Sequence, residues 1–166
     1  CRIENVAIMD GTGPVVLEDA VDCTIDGLLI DRLPNLDDFE GYGVQVNGGS
    51  FNWLVSGLRG RHMRHAFTTL GVDYESASWG GPRDGKVSRS TIGMAQDGFA
   101  AFDTHEQGIR IDFEDCYAYG GSGGSASGFQ VRARDVHLTN CKALYCGAHG
   151  ARVDALASGC IISGGE

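Results

Sequence analysis

Phe113-Glu114-Asp115-Cys116-Tyr117-Ala118 is followed 25 residues later by Leu138-Thr139-Asn140-Cys141-Lys142-Ala143, and this pair of segments decides the fold. Both read apolar, polar, turn residue, small apolar, any residue, small or apolar. The same phrase occurs as Ile3-Glu4-Asn5-Val6-Ala7-Ile8, Ile25-Asp26-Gly27-Leu28-Leu29-Ile30, Val55-Ser56-Gly57-Leu58-Arg59-Gly60 and Val87-Ser88-Arg89-Ser90-Thr91-Ile92, and begins again at Ile162-Ser163-Gly164. The steps between first residues are 22, 30, 32, 26, 25 and 24. The third position is Asn, Asp or Gly in five of the six complete phrases, Arg89 being the exception. These residue types tolerate φ > 0, so the chain is expected to bend there once per repeat.

Between the phrases lies a second row of alternating segments: Gly43–Asn47, Ala66–Leu70, Ala101–His105, Gly128–Arg132 and Gly150–Asp154. Alternation of apolar and polar residues with period two marks strands with one buried face. Two rows sharing one period predict a solenoid in which each repeat is one coil and every strand pairs with its equivalents above and below. The expected fold is all-β, a right-handed parallel β-helix (solenoid) of about seven coils forming a single domain over residues 1–166. Cys116 is expected over Cys141, and Phe102 over Phe129. An antiparallel sandwich would need hairpin turns in place of the repeat, and Asn47-Gly48 is the one such signal.

Composition agrees. Glycine makes up 26 of 166 residues and proline only three, which suits many tight turns rather than collagen or a disordered linker. The net charge of −9 with only 13 Lys and Arg argues against a nucleic-acid partner. No apolar run is long enough for membrane insertion. The six cysteines form no C-x-x-C pair and have no histidine at zinc-finger spacing, so no metal or other cofactor is expected and the thiols are read as free and buried. The chain opens at Cys1 and stops within the pattern at Glu166, which reads as a fragment of a longer chain with both ends truncated.

Within this fold class, Arg64-His65-Ala66-Phe67-Thr68-Thr69, Phe102-Asp103-Thr104-His105 and Gly128-Phe129-Gln130-Val131-Arg132 resemble the pectate-lyase-like single-stranded β-helices, and among them bacteriophage tail and tailspike proteins. The resemblance implies an extracellular or virion-surface location, polysaccharide as partner, and a homotrimer.

If Phe67, Phe102 and Phe129 point inward, alternation turns Gln45, Thr68, Asp103, Gln130 and Arg152 outward in one file. Asn47, Leu70, His105, Arg132 and Asp154 follow in a parallel file. Acids, amides and arginines on one patch suit sugars rich in hydroxyl or carboxylate groups; the bland alternative is solvated, mutually paired surface. The loop from Gly71 to Gly85 carries Tyr74, Glu75 and Trp79 beside this patch, with Trp79 the candidate sugar-stacking platform. Arg64 and His65 belong to a basic knot, Arg59–His65, that could hold an anionic sugar.

Catalytic candidates are Asp103, His105, Glu75 and Asp154. Glycoside hydrolysis needs two carboxyl groups roughly 5 to 9.5 Å apart, which Asp103 with Glu75 could supply, with His105 as general acid or base. A lyase would use His105 or Arg132 as proton acceptor and a cation or Arg152 to neutralise a uronate carboxylate. The calcium cluster and arginine motif of pectate lyases are not recognisable, Asp37, Asp38 and Glu40 being too loosely arranged, and Ala148-His149-Gly150 only approaches the Gly-His-Gly of polygalacturonases. Two functional classes therefore stand open: a receptor-binding or depolymerising β-helix, acting if enzymatic as a polysaccharide lyase or glycoside hydrolase, and a purely structural stalk or adhesin segment without catalysis.

Overall fold

A computed structural model of the chain describes residues 1–9, 15–31, 42–70, 81–94, 100–121 and 124–165. Every strand in it pairs in parallel with the equivalent strand of the neighbouring coil, and the described residues contain no helix. The protein is an all-β parallel β-solenoid, and none of its described segments is a helix able to cross a membrane.

The strands form three sheets rather than the two rows expected. The first contains Arg2–Glu4, Thr24–Asp26, Leu54–Ser56, Arg83–Ser88, Ile109–Glu114, Arg134–Thr139 and Ile161–Ser163. The second contains Ala7–Met9, Leu29–Asp31, Arg59–Met63, Thr91–Met94, Tyr117–Tyr119 and Lys142–Leu144. Val15–Glu18, Tyr42–Asn47, His65–Leu70, Ala100–Thr104, Ser127–Val131 and His149–Val153 make the third. Six coils thus carry all three strands among the described residues and Ile161–Ser163 opens another, a little under the expected count. The repeating phrase hid a sheet because it spans a corner: its first half closes the first sheet, and its second half opens the second.

That corner is a single residue with positive φ. Asn5, Gly27, Gly57, Arg89, Asp115, Asn140 and Gly164 all sit there, with φ between 49° and 71°. Stacked corners bond to each other through the backbone: Asn5 N–H donates to Asp26 O, Gly27 N–H to Ser56 O, and Arg89 N–H to Glu114 O at 3.0 Å. The ladder holds Arg89 in a conformation that ordinarily costs an L-residue roughly 1–2 kcal/mol. Its guanidinium donates to Ser56 Oγ, a contact along the same corner.

Inside, like residues stack as expected. Phe102 and Phe129 are paired in register with ring centroids 4.9 Å apart and nearly parallel planes. Phe113 reaches across from the first sheet and meets Phe67, Phe102 and Phe129 edge-on, the geometry aromatic quadrupoles favour. Val55, Val87, Ile25 and Phe113 continue the buried face of the first sheet, each such side chain contributing about 1.5–3 kcal/mol through burial. Cys116 and Cys141 are buried, free thiols. Their mutual hydrogen bond, then burial, pushes the Cys116 thiol strongly upward, so it packs as an apolar group.

Inward hydroxyls finish the third sheet. Thr69 Oγ1 accepts from the backbone N–H of His105, and Thr104 Oγ1 from those of Arg132 and Ala133. Each threonine thereby satisfies the chain as it leaves the next coil, and fixes where His105 and Arg132 begin.

Candidate functional site

The outer face of the third sheet is built by register. Gln45 pairs with Thr68, Thr68 with Asp103, Asp103 with Gln130, and Gln130 with Arg152. The file expected from alternation therefore exists, but it does not meet solvent uniformly. Thr68 and Asp103 are fully buried, Gln130 is half-buried and Arg152 is exposed. The expectation that Asp103 faces solvent is corrected here: alternation fixes the face a side chain takes, while neighbouring side chains decide whether water reaches it.

Two of those neighbours are Arg132 and His105. The Arg132 guanidinium donates to Asp103 Oδ2 at 2.6 Å, and His105 Nε2 lies 3.1 Å from the same oxygen. The same guanidinium nitrogen is 2.8 Å from His105 Nε2. Neutral His105 can accept from Arg132 through Nε2, whereas with a proton on Nε2 it can donate to Asp103. Its Nδ1 faces Glu106 at 3.7 Å. Burial alone would push the Asp103 carboxyl up, but the His105 hydrogen bond, followed by the charges of His65, Arg132 and His105 around it, outweighs burial and holds the group below the ordinary carboxylate range. Asp103 is thus a fixed anion near neutrality, unsuited to donating a proton.

Sequence reasoning missed the neighbours toward the start of these strands. Tyr42 pairs in register with His65, and their rings stack at 5.3 Å. His65 is buried, with Nδ1 3.0 Å from Ala100 O, and burial pulls its pKa down to about 4. It is a neutral imidazole near pH 7, packed into the strand and adding no charge to the basic knot. Arg64 lies over the Tyr42 ring at 5.9 Å. The rest of the knot is dispersed: Arg59 and Arg61 project from the second sheet, and Met63 is buried. Placing Tyr42 opposite His65 from sequence alone would have required aligning each strand on its inward residue, Val44 with Phe67.

Toward the end of the file, Asp154 uses both carboxylate oxygens. Arg152 Nε donates to Oδ1 at 2.7 Å and Gln130 Nε2 to Oδ2 at 3.2 Å. The structure therefore joins Asp103, His105 and Arg132 in one cluster and Gln130, Arg152 and Asp154 in the next. Tyr74, Glu75 and Trp79 lie outside the described residues, as do Asp37, Asp38 and Glu40. Four atoms on this face, Asn47 Oδ1, Thr68 Oγ1, Asp103 Oδ1 and Arg132 Nε, are buried without a hydrogen-bond partner among the described residues. Among the described residues no group of three or more His, Cys, Asp or Glu is arranged to hold a metal ion. No known family profile matches the sequence. What fold and site define is a parallel β-solenoid with a graded polar patch on its third sheet.

Proposed function

We propose that this protein is a polysaccharide-binding β-helix of the pectate-lyase-like kind, working outside the cell or on a virion surface as the resemblance to phage tail proteins implies. The observation that carries the reading is the run of polar side chains stacked in register on one face, Gln45, Thr68, Asp103, Gln130 and Arg152, bordered by Arg132 and His105. A hydroxyl-rich ligand offers both donors and acceptors to the half-buried Gln130 and Arg132 and the exposed Arg152. Gln130 and Arg152 extend the same face by one coil each, which suits a chain-like ligand along the solenoid axis.

If the protein also cleaves its ligand, His105 is the group able to exchange a proton, while ionised Asp103 orients it and stabilises positive charge. Glycan-array screening identifies the ligand, and Gln130→Ala and Arg152→Ala then test the face, because neither strips the partner from Asp103. Each is expected to weaken binding about tenfold. Product release that disappears in His105→Ala would establish catalysis. A protein that binds no glycan would instead be a structural stalk or adhesin segment.

A further inference from the structure

The second sheet presents a different surface. Counted from the corner residue of each coil, the fourth position is Met9, Asp31, Arg61, Gly93, Tyr119 and Leu144, and these align across the sheet. Tyr119 is not upright. A Cβ built on Gly93 would lie 3.0 Å from the Tyr119 hydroxyl and 3.3 Å from Arg61 Cβ, so the phenol ring reaches across the glycine toward the arginine of the next coil. Tyr117 stands beside it, ring centroids 5.4 Å apart. Asp31 clamps Arg61 through two hydrogen bonds, at 2.8 and 2.7 Å.

Two positions after the corner, Leu29, Arg59 and Thr91 align. The exposed Arg59 guanidinium has no ion pair or hydrogen bond among the described residues. It stands where two open clefts of about 480 and 570 Å³ meet, both lined by Leu29 and Arg59; one is walled by Tyr119 and the other by Arg89. On a chain of net charge −9, a groove with an unopposed arginine, a second arginine held rigid by a carboxylate, and a reclining tyrosine is locally suited to an anion carried on an apolar-faced ring.

We propose that this groove is a second saccharide site, distinct from the third-sheet patch, which takes an acidic sugar chain: Tyr119 stacks on a ring face, and Arg59 binds the carboxylate or sulfate. Asp31 and Thr91 face the same groove with acceptors for sugar hydroxyls. The proposal does not depend on the third-sheet reading.

The test uses calorimetric titration of the whole chain with hyaluronan oligosaccharides, which carry carboxylates, dextran sulfate, which carries sulfates, and neutral dextran. At least one acidic probe should bind at least about tenfold more tightly than dextran. Arg59→Ala and Tyr119→Ala should each weaken that binding about tenfold or more, Tyr119→Phe should stay within about twofold, and Gln130→Ala should leave it unchanged. Both substituted side chains are exposed, and unchanged melting temperatures would confirm intact folds. The better-binding acidic probe identifies the anionic group. Failure of both acidic probes, equal binding of dextran, or parent-like affinity in Arg59→Ala and Tyr119→Ala overturns the proposal. Loss in Gln130→Ala with none in Arg59→Ala also overturns it, while leaving the third-sheet reading standing.

Discussion

The indole of Trp53 occupies the space where Gly85, its partner on the next coil, would carry a side chain. A Cβ built on Gly85 would lie 2.0 Å from Trp53 Cε2 and Cζ2. Trp53 is almost wholly buried, and the two positions belong to one file because Leu54 pairs with Lys86 immediately after them. The largest side chain fits this narrow solenoid because the smallest stands beside it.

Gly85→Ala is therefore expected to lower stability by about 2 kcal/mol, an overpacking effect read as a drop in the urea midpoint. Trp53→Phe in the same chain should recover part of that loss. An additive double-mutant cycle would show that the two residues do not compete for the same space.

At the corner ladder, Arg89 holds φ at 49° where the other described corners use Asn, Asp or Gly. Arg89→Gly should stabilise the protein by about 0.5–1 kcal/mol, since relief of the left-handed conformation exceeds the loss of a largely exposed contact to Asp26. Equilibrium urea unfolding measures it. A clear loss of stability would mean that the Ser56 hydrogen bond outweighs the backbone term.

Acid should destabilise the fold in two steps. His65 titrates at about 4 in the folded protein, chiefly because it is buried, against about 6.5 when unfolded. Between these values the unfolded chain holds a proton that the folded chain does not, so stability is full above about pH 6.5 and falls as pH drops toward 4, by up to about 3 kcal/mol. Below that range the Asp103 contribution, present above its unfolded pKa, is lost as pH falls through its depressed folded value. Urea midpoints at pH values of about 7, 5.5 and 4.5 should decline in the parent and flatten over the first step in His65→Gln.

Removing Arg132 strands the Asp103 carboxylate in a buried setting. Arg132→Met is expected to cost about 3 kcal/mol, and adding Asp103→Asn should return at least half of it, because the penalty belongs to the unpaired charge. Thermal melts of the three variants separate this from a simple loss of packing, which Asp103→Asn would not restore.

The sequence by itself determined the coil. The bend residue, the apolar residue two places before it and the alternation of the Phe67, Phe102 and Phe129 segments required stacking at a fixed register, because only stacking satisfies the backbone and buries one face of every strand. Phe102 over Phe129, the buried free pair Cys116 and Cys141, and the joining of Asp103, His105 and Arg132 on one face all followed from that register. Tertiary structure alone decided that the phrase spans two sheets, since a one-residue corner leaves no gap in the pattern. It also decided that Asp103 is buried and ionised, that His65 is neutral, and that Tyr119 lies across Gly93 toward Arg61. Alternation specifies direction along one strand, whereas burial, charge state and the tilt of a long side chain depend on neighbours one coil away, some 22 to 32 residues distant in sequence.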